Sequence, residues 1–379
     1  MGFARFCLFL MFVSSMVFMA SCSKTDGKKE SLGRGLKDAY KGDFLIGAAL
    51  GRPYILGQDS VADMLIKKHF NTISPENDMK CELIHPEWNK YYFDIADKFV
   101  ELGKENNQFL LGHTLVWHSQ LAPFVTKITS ADSLRLFMKE HISTIVGRYK
   151  GKINAWDVVN EALNEDGTMR KSIFYNLLGD QYIIDAFRLA QTADPKAELY
   201  YNDYNIEQPA KRKGAIELIK KIQAAGIRID GVGIQGHWSI RGLPLEDIEQ
   251  SILDYSALGL KVMLTELDIT VLPNPWDLRG ADVNQNFEGS AMMNPYPQGL
   301  PDSMQVKLAM EYESLFDLLV KHKDKVSRVT FWGVNDESSW LNGWPIRGRT
   351  NYPLLFDRNY QPKPAYYRVM SVKDEEKRP

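Results

Sequence analysis

With 379 residues, of which 44% are hydrophobic and 25% charged, the chain can form one large globular domain or two of average size. Its formal net charge of −2 argues against nucleic acid or an anionic membrane surface as a partner, because neither would be attracted electrostatically. Eight tryptophans and 17 tyrosines supply aromatic surface, which fits either ordinary core packing or stacking against the apolar faces of sugar rings.

The first 21 residues have the pattern of an export signal. Arg5 precedes a nearly unbroken apolar run, 6–20, which is too short for a comfortable membrane span. The run leads into Cys22 after small residues, as in a bacterial lipoprotein processing site, although Met19 stands where leucine is usual. We expect a signal peptide at 1–21 and a lipid on Cys22. The alternative is an ordinary signal peptide with an incidental cysteine.

A lipid on Cys22 would leave Cys81 as the remaining cysteine of the mature chain, so no internal disulfide is expected. Residues 22–37 are polar and rich in Lys, Gly and Ser, which predicts a flexible tether before a folded domain at 38–374. We therefore expect an exported monomer in a bacterial cell envelope, bound to the membrane only by its lipid anchor. The sequence does not indicate on which side of the membrane the anchored domain lies.

From about Asp43 onward, short apolar runs alternate with longer stretches in which apolar residues recur every three or four positions. The short runs predict eight strands: Phe44–Ala49, Phe70–Ser74, Gln108–Trp117, Ile153–Asn160, Glu198–Tyr204, Gly231–His237, Lys261–Thr270 and Arg328–Gly333. The longer stretches predict helices, with a last one after Pro364: Ser60–His69, Ile95–Asn106, Ser130–Tyr149, Ser172–Thr192, Lys211–Ala225, Leu245–Leu258 and Gln305–His322.

Eight strands alternating with about eight helices predict an α/β fold, a single-domain (β/α)8 TIM barrel. A doubly wound open sheet is the alternative, and it is weakened because no glycine-rich phosphate-binding motif follows the first strand. The segment Leu272–Ser303 lacks periodicity and is rich in Pro, Asn, Gly and Asp. In a barrel it forms a long loop on the catalytic face, after the seventh strand.

Polar and aromatic side chains cluster where seven of the eight predicted strands end. In a barrel these ends meet at one mouth, so we expect the side chains to gather there. The strand-end segments are Glu76–Lys80, His113 with Trp117–His118, Asn160–Glu161, Asn202–Asn205, Gln235–Trp238, Glu266–Asp268 and Trp332–Asp336.

Glu161 and Glu266 end the fourth and seventh predicted strands, which roughly face each other across a barrel mouth. Two carboxylates that flank one bond are the machinery of glycoside hydrolysis. A carboxylic acid with a raised pKa protonates the leaving oxygen, and an ionised carboxylate attacks or stabilises the anomeric carbon. A separation of about 5–5.5 Å predicts retention of configuration and one of about 6.5–9.5 Å predicts inversion.

Strand alternation places Glu266 and Asp268 on one face of the seventh strand, and Gln235 and His237 on one face of the sixth. An imidazole between Glu266 and Asp268 would keep Glu266 ionised and oriented, as a nucleophile requires. The alternatives are that His237 is an ordinary core histidine and that Asp268 is a turn residue at the end of a strand.

Around these residues the chain resembles family 10 of the glycoside hydrolases, the endo-β-1,4-xylanases. Six motifs carry the resemblance, in the family's order: Pro75–Lys80, Gly112–His118, Trp156–Ala162, Gly233–His237, Leu264–Asp268 and Thr330–Val334. The resemblance implies a retaining double displacement on xylan or xylo-oligosaccharides, with Glu161 as the acid/base and Glu266 as the nucleophile. We expect no cofactor and no metal.

The resemblance also implies roles for the residues around the two glutamates. Asn160 would hydrogen-bond the 2-hydroxyl of the sugar that forms the covalent intermediate, and His237 and Asp268 would support Glu266. The implied substrate-binding residues are His113 and Gln235 at that sugar, Glu76, Asn77 and Lys80 at the next sugar on the glycone side, Trp117, Trp332 and Trp340 as walls of the cleft, and Tyr204 and Asn205 on the aglycone side.

Simpler explanations exist for some of these residues. Glu76 and Lys80 could form a helical i, i+4 ion pair worth about 0.3–0.5 kcal/mol, and Trp117 could cap the barrel core. His113 and His118 are five positions apart on a strand and face opposite sides, so a metal site is not expected.

Two hypotheses compete with a xylanase. One is the same barrel acting on β-glucan or on both polymers, and the other is a lipoprotein that binds polysaccharide without cleaving it. The loop Leu272–Ser303 is longer than the resemblance implies and is expected to reshape one end of the cleft.

Overall fold

The structure is a computed structural model that describes residues 33–375. The predicted signal peptide, Cys22 and most of the predicted tether lie outside these residues. Between 33 and 375, no helix has the length and apolar character needed to span a membrane.

Eight parallel strands form a closed barrel, so the prediction of a (β/α)8 fold is confirmed and the open-sheet alternative is wrong. Successive strands pair from β1 to β6 and from β8 to β9, and pairing of β6 with β8 and of β9 with β1 closes the ring. The strands are β1 Leu45–Leu50, β2 Thr72–Pro75, β3 Phe109–Trp117, β4 Ala155–Asn160, β5 Glu198–Asp203, β6 Gly231–Ile234, β8 Lys261–Thr270 and β9 Val326–Phe331, with a short extra strand, β7 His237–Ser239, paired to the end of β8.

Helices surround the barrel and bury their apolar faces against it. They are α1 Leu36–Ala39, α2 Arg52–Ile55, α3 Ser60–His69, α4 Cys81–Ile84, α5 Asp94–Glu105, α6 Ala131–Arg148, α7 Ile173–Leu178, α8 Gln181–Ala193, α9 Pro209–Ala224, α10 Leu245–Ser256, α11 Asp302–Lys321 and α12 Pro364–Glu375. Leu36 in α1 is fully buried, so the folded domain begins at Gly35, before the predicted boundary at residue 38.

Two predicted elements are interrupted at glycines with positive φ. The predicted helix Ser172–Thr192 is split into α7 and α8 at Gly179, where φ is 62°. The predicted strand Gly231–His237 ends at Ile234 and resumes as β7, because Gly236 has a φ of 83°. Gln235 and His237 therefore do not share one face of a continuous strand, although both reach the mouth of the barrel.

The barrel interior is built in layers that follow strand alternation. Leu111, Ala155, Tyr200 and Met263 form an apolar cluster inside the lower barrel. The residue two positions further along each of these strands is polar, and it lies on the same side of its strand: His113, Asp157, Asn202 and Thr265. This layer and the buried Arg328, whose guanidinium packs against Tyr200 and Met263, fill the barrel from below, and the polar layer supports the mouth above them.

Asp336, which the strand-end pattern places at the mouth, has a structural role instead. Its side chain is fully buried, and it accepts a hydrogen bond from Lys363 Nζ at 2.9 Å. Lys363 also donates to the carbonyl oxygens of Tyr352 and Leu354. The pair therefore fixes the segment that precedes α12.

Candidate active site

A cavity at the C-terminal ends of the strands brings together twelve of the predicted site residues. They are Glu76, Asn77, Lys80, His113, Trp117, Asn160, Glu161, Gln235, His237, Glu266, Trp332 and Trp340. Gln120, Ala281 and Val283 complete the lining. The strand ends therefore converge as the barrel prediction requires, although the role of each side chain remains a prediction.

Glu161 stands at the end of β4 with a φ of 56°, a left-handed backbone conformation that is uncommon for residues other than glycine. Its carboxylate is buried, and it accepts hydrogen bonds from Trp117 Nε1 at 2.8 Å and from Gln235 Nε2 at 2.9 Å. Burial raises the pKa of Glu161, and the nearby charge of Glu266 raises it further, against the effect of these hydrogen bonds. Glu161 is thus biased toward the protonated form.

Glu266 faces the same cavity from β8 in a different environment. Asn202 Nδ2 donates to Oε1 at 2.7 Å, and His237 Nε2 lies 3.3 Å from Oε2. Burial alone would raise the pKa of Glu266, but the hydrogen bond from His237 and nearby positive charge outweigh it and lower the pKa. Glu266 is therefore biased toward the ionised form.

His237 lies between Glu266 and Asp268, with Nδ1 3.0 Å from Asp268 Oδ1. Burial opposes protonation of the imidazole, but the charges and hydrogen bonds of Asp268 and Glu266 together outweigh it and raise the pKa of His237 to about 10. The protonated ring has two N–H donors, one for each carboxylate. Trp340 Nε1 donates to the other oxygen of Asp268 at 2.7 Å, so this wall of the cavity is tied to the same network.

Asn202 is a site residue that the motifs did not single out. Its Nδ2 donates to Asn160 Oδ1 at 2.9 Å as well as to Glu266, and Asn160 Nδ2 lies 3.2 Å from Glu161 Oε1. Two amide side chains therefore link the two carboxylates. Strand alternation could have identified Asn202, because it stands two positions after Tyr200 of the interior apolar layer.

Glu76, Asn77 and Lys80 form one side of the cavity. Lys80 Nζ donates to Asn77 Oδ1 at 2.8 Å and to Gln120 Oε1 at 3.0 Å. Residues 76–80 form bends and turns before α4, so the alternative of a helical ion pair between Glu76 and Lys80 is wrong. Burial raises the pKa of Glu76 and lowers that of Lys80.

Aromatic side chains form the remaining walls. Trp340 stacks on Trp344 with ring centroids 4.5 Å apart, and Trp332 meets His113 edge to face at 5.3 Å. The Nδ1 atom of His113 lies 3.0 Å from Asp157 Oδ2 in the barrel interior. Among residues 33–375, no group of three or more His, Cys, Asp or Glu side chains is arranged to hold a metal ion.

The structure does not bring Tyr204 and Asn205 to this cavity. Tyr204 is 3% exposed, and its hydroxyl accepts a hydrogen bond from Arg170 Nη2 at 2.6 Å. Asn205 Nδ2 donates to Glu165 at 2.9 Å. The β4–α7 segment carries both Glu165 and Arg170, so these hydrogen bonds tie the end of β5 to that segment.

Comparisons with known proteins agree with this geometry. The family model described as Glycosyl hydrolase family 10 matches residues 35–372. Endo-1,4-beta-xylanase A of Xylanibacter ruminicola is 43% identical over 342 residues, which cover 89% of this chain and 93% of that protein. A protein of Thermoclostridium stercorarium named thermostable celloxylanase is 38% identical over 384 residues, which cover 96% of this chain and 94% of that protein.

Solved structures give the same result. A GH10 endoxylanase retrieved from a sugarcane soil metagenome superposes with a TM-score of 0.86 at 46% identity, covering 89% of this chain and all of the other. A xylanase from Paenibacillus barcinonensis gives a TM-score of 0.80 at 35% identity, covering 89% of this chain and 98% of the other.

The raised pKa of His237 predicts how the stability of the folded protein depends on pH. The ring stays protonated in the folded protein up to about pH 10, whereas in the unfolded chain it loses its proton near pH 6.5. Below pH 6.5, the interactions of protonated His237 therefore contribute fully to the free energy of unfolding. As the pH rises toward 10 this contribution is lost, at up to about 1.4 kcal/mol per pH unit.

Replacing the ring in His237→Gln removes this contribution. Urea denaturation at several pH values from about 6.5 to 9.5 should show the free energy of unfolding falling more steeply in the wild type than in the variant. Parallel curves for the two proteins would contradict a charged His237 between Glu266 and Asp268.

Proposed function

This chain belongs to glycosyl hydrolase family 10, and we propose that it is an endo-1,4-β-xylanase that cleaves internal xylosidic bonds with retention of configuration. The observation that carries the proposal is the pair of carboxylates in one cavity, with the pKa of Glu161 raised and that of Glu266 lowered. Two carboxyl groups whose surroundings push their pKa values apart are the arrangement that glycosidic cleavage requires.

In the first step, an oxygen of Glu266 attacks the anomeric carbon. The bond to the leaving sugar breaks, and Glu161 donates its proton to the departing oxygen. Hydrogen bonds from Asn202 and His237 hold the two Glu266 oxygens in place for this attack. We assign the sugar's 2-hydroxyl to Asn160, which lies between the two carboxylates.

In the second step, water replaces Glu266. Once Glu266 is esterified it carries no charge, so its contribution to the raised pKa of Glu161 disappears. The water oxygen bonds to the anomeric carbon while the ester bond to Glu266 breaks, and Glu161 accepts the proton from the water, so the sugar is released and Glu266 is again a carboxylate. The change of role from acid to base therefore follows from the charge of Glu266, and it needs no movement of either side chain.

A second specificity is favoured by one observation. The 38% identical relative from Thermoclostridium stercorarium is named a celloxylanase. Glucose differs from xylose by a hydroxymethyl group, and a pocket that lacks room for a group of this size discriminates by about 10–200-fold. The side of the cavity formed by Glu76, Asn77 and Lys80, together with the Trp340 wall, is where we expect that choice to be made.

We also propose that the enzyme is exported and held in a bacterial cell envelope by a lipid on Cys22. Support comes from Arg5, the apolar run 6–20 and the small residues before Cys22. We propose in addition that the enzyme acts as a monomer, since the residues assigned to the reaction, Glu161, Glu266 and Asn160, all belong to this chain.

Removing either carboxylate tests the mechanism. Glu266→Ala should lower kcat on xylan by about 10⁴-fold or more, because no nucleophile remains. Glu161→Ala should lose about 10²–10⁴-fold on xylan but much less on an aryl xylobioside with an activated leaving group, which needs little protonation. Azide should accelerate Glu161→Ala and give a β-xylosyl azide, identified by NMR.

Circular dichroism of both variants serves as the folding control. Near wild-type cleavage of xylan by folded Glu266→Ala would contradict the proposed nucleophile. An α-configured azide product would contradict retention.

Aryl xylobioside and aryl cellobioside, assayed on the same preparation, test the specificity. We expect kcat/KM to favour the xylobioside by about 10–200-fold, the range for one extra group in a closed pocket. Equal kcat/KM values on the two substrates would instead indicate an enzyme of mixed specificity.

Fractionation of cells that express the full chain tests the anchor. We expect the wild type and Cys81→Ala to remain with membranes after a carbonate wash and to incorporate a labelled fatty acid. Cys22→Ala should lose both properties. If the wild type is soluble and unlabelled, the proposed lipid on Cys22 is wrong, and the N-terminal segment is an ordinary signal peptide.

A further inference from the structure

The long loop between β8 and α11 crosses the mouth of the barrel. Its central part, Gly280–Asn284, is called the strap below. The strap is attached to residues that follow β3 and β4, and β3 lies four strands from β8 in either direction around the ring of eight. The loop therefore reaches the opposite side of the barrel instead of folding back beside its own strand.

Two side-chain contacts hold the strap there. Arg170 Nη1 lies 3.4 Å from Asp282 Oδ2, and Ser119 Oγ lies 3.3 Å from Asn284 Oδ1. At its start, Gly280 rests on the ring of Tyr204 with a φ of 53°. A Cβ atom at this position would come within 2.3 Å of the ring, so the close approach requires glycine.

The strap lies next to Glu161. Arg170, which pairs with Asp282, also donates from Nε to the backbone oxygen of Glu161 at 3.0 Å. Ala281 and Val283 line the cavity that contains both carboxylates. Val283 and Asn284 also line a groove with His118, whose Nδ1 lies 3.9 Å from Glu161 Oε2.

His118 is a partly buried histidine whose ring makes no hydrogen bond to the described part of the chain in this arrangement. Neither ring nitrogen has a hydrogen-bond partner among the described residues, although both are shielded from solvent. A polar ring buried in this way is costly unless another ligand can satisfy it. Its position in the groove beside the strap suits a hydroxyl of a sugar that enters when the strap lifts.

A polymer must extend to both sides of the bond that is cut, and Glu161 protonates the oxygen on the leaving-group side. Arg170 and Tyr204 adjoin Glu161, yet neither lines the cavity that holds Glu76 and Lys80. Both are covered by the strap. The cavity is therefore open where the sugar attacked by Glu266 would sit, and the strap occupies the path of the leaving chain.

We infer that Asp282 and Asn284 determine specificity by holding the strap across the leaving-group side of the cleft. Small leaving groups are then accepted with the strap in place, and longer chains are accepted only when it lifts. This inference rests on the proposed xylanase function. It concerns how many sugars fit beyond the cleaved bond, not the chemistry of cleavage.

The double variant Asp282→Ala/Asn284→Ala tests the inference, because neither residue belongs to the proposed catalytic machinery. We expect its kcat/KM on aryl xylobioside, whose leaving group is small, to stay within about twofold of the wild type. Its kcat/KM on soluble xylan should rise by at least about threefold, because the strap no longer has to be displaced.

Xylohexaose labelled at its reducing end gives a second readout. Mass spectrometry of the products should show cleavage moving toward bonds with more sugars on the leaving side. Asp277→Ala/Asn286→Ala is the matched control, because it removes the same two side-chain types from exposed positions of the same loop. The control should retain the wild-type ratio and pattern.

An unchanged xylan-to-aryl ratio and an unchanged cleavage pattern in the strap variant would overturn the inference. A fall in xylan activity would also overturn it, since the strap would then be binding the leaving chain. Failure of the wild type to cleave aryl xylobioside would instead reject the proposed function, so the two failures are distinguishable.

Discussion

Two carboxylates buried in one cavity cannot both carry an uncompensated charge at low cost, and this constraint organises the site. Glu266 has a protonated imidazole and an amide as partners, and His237 is itself held by Asp268. The carboxylate of Glu161 accepts hydrogen bonds from neutral side chains, Trp117 and Gln235 among them, and the charged Arg170 donates to its backbone oxygen instead. The same functional group therefore has opposite proton affinities at two positions, and the difference between nucleophile and acid comes from their neighbours.

The barrel provides this environment through the alternation of its strands. Below the mouth, buried apolar side chains fill the barrel, with the guanidinium of Arg328 packed against Tyr200 and Met263. Two positions later on the same strands, Asn202 and Thr265 are hydrogen-bonded at 2.6 Å, and His113 contacts Asp157 at 3.0 Å. The catalytic side chains therefore rest on a layer of polar groups that are themselves fixed by pairing. Such a support limits side-chain movement, which is what positioning of reacting groups requires.

Much of this was predictable from the sequence. In a closed parallel barrel the C-terminal ends of the strands meet at one mouth, so the residues at those ends are the ones expected to line it. Most of the predicted site residues line the cavity for that reason. Tyr204 stands at such a strand end but is covered by the segment that carries Arg170 and by the strap, and a strand pattern contains no information about what folds over it. The path of the strap could not be predicted from the sequence either. It has no periodicity, and its course depends on Ser119 and Arg170, which are far away in the sequence.

The hydrogen bond from Trp340 to Asp268 has a consequence for how such an enzyme can diversify. Because this wall of the cleft is joined through Asp268 and His237 to the charge on Glu266, a substitution of Trp340 is expected to affect turnover as well as sugar binding. The loop over the mouth reaches Glu161 chiefly through Arg170 and is freer to vary. Substitution in the loop is therefore expected to leave the charge on Glu266 unchanged, whereas loss of the indole is expected to disturb it.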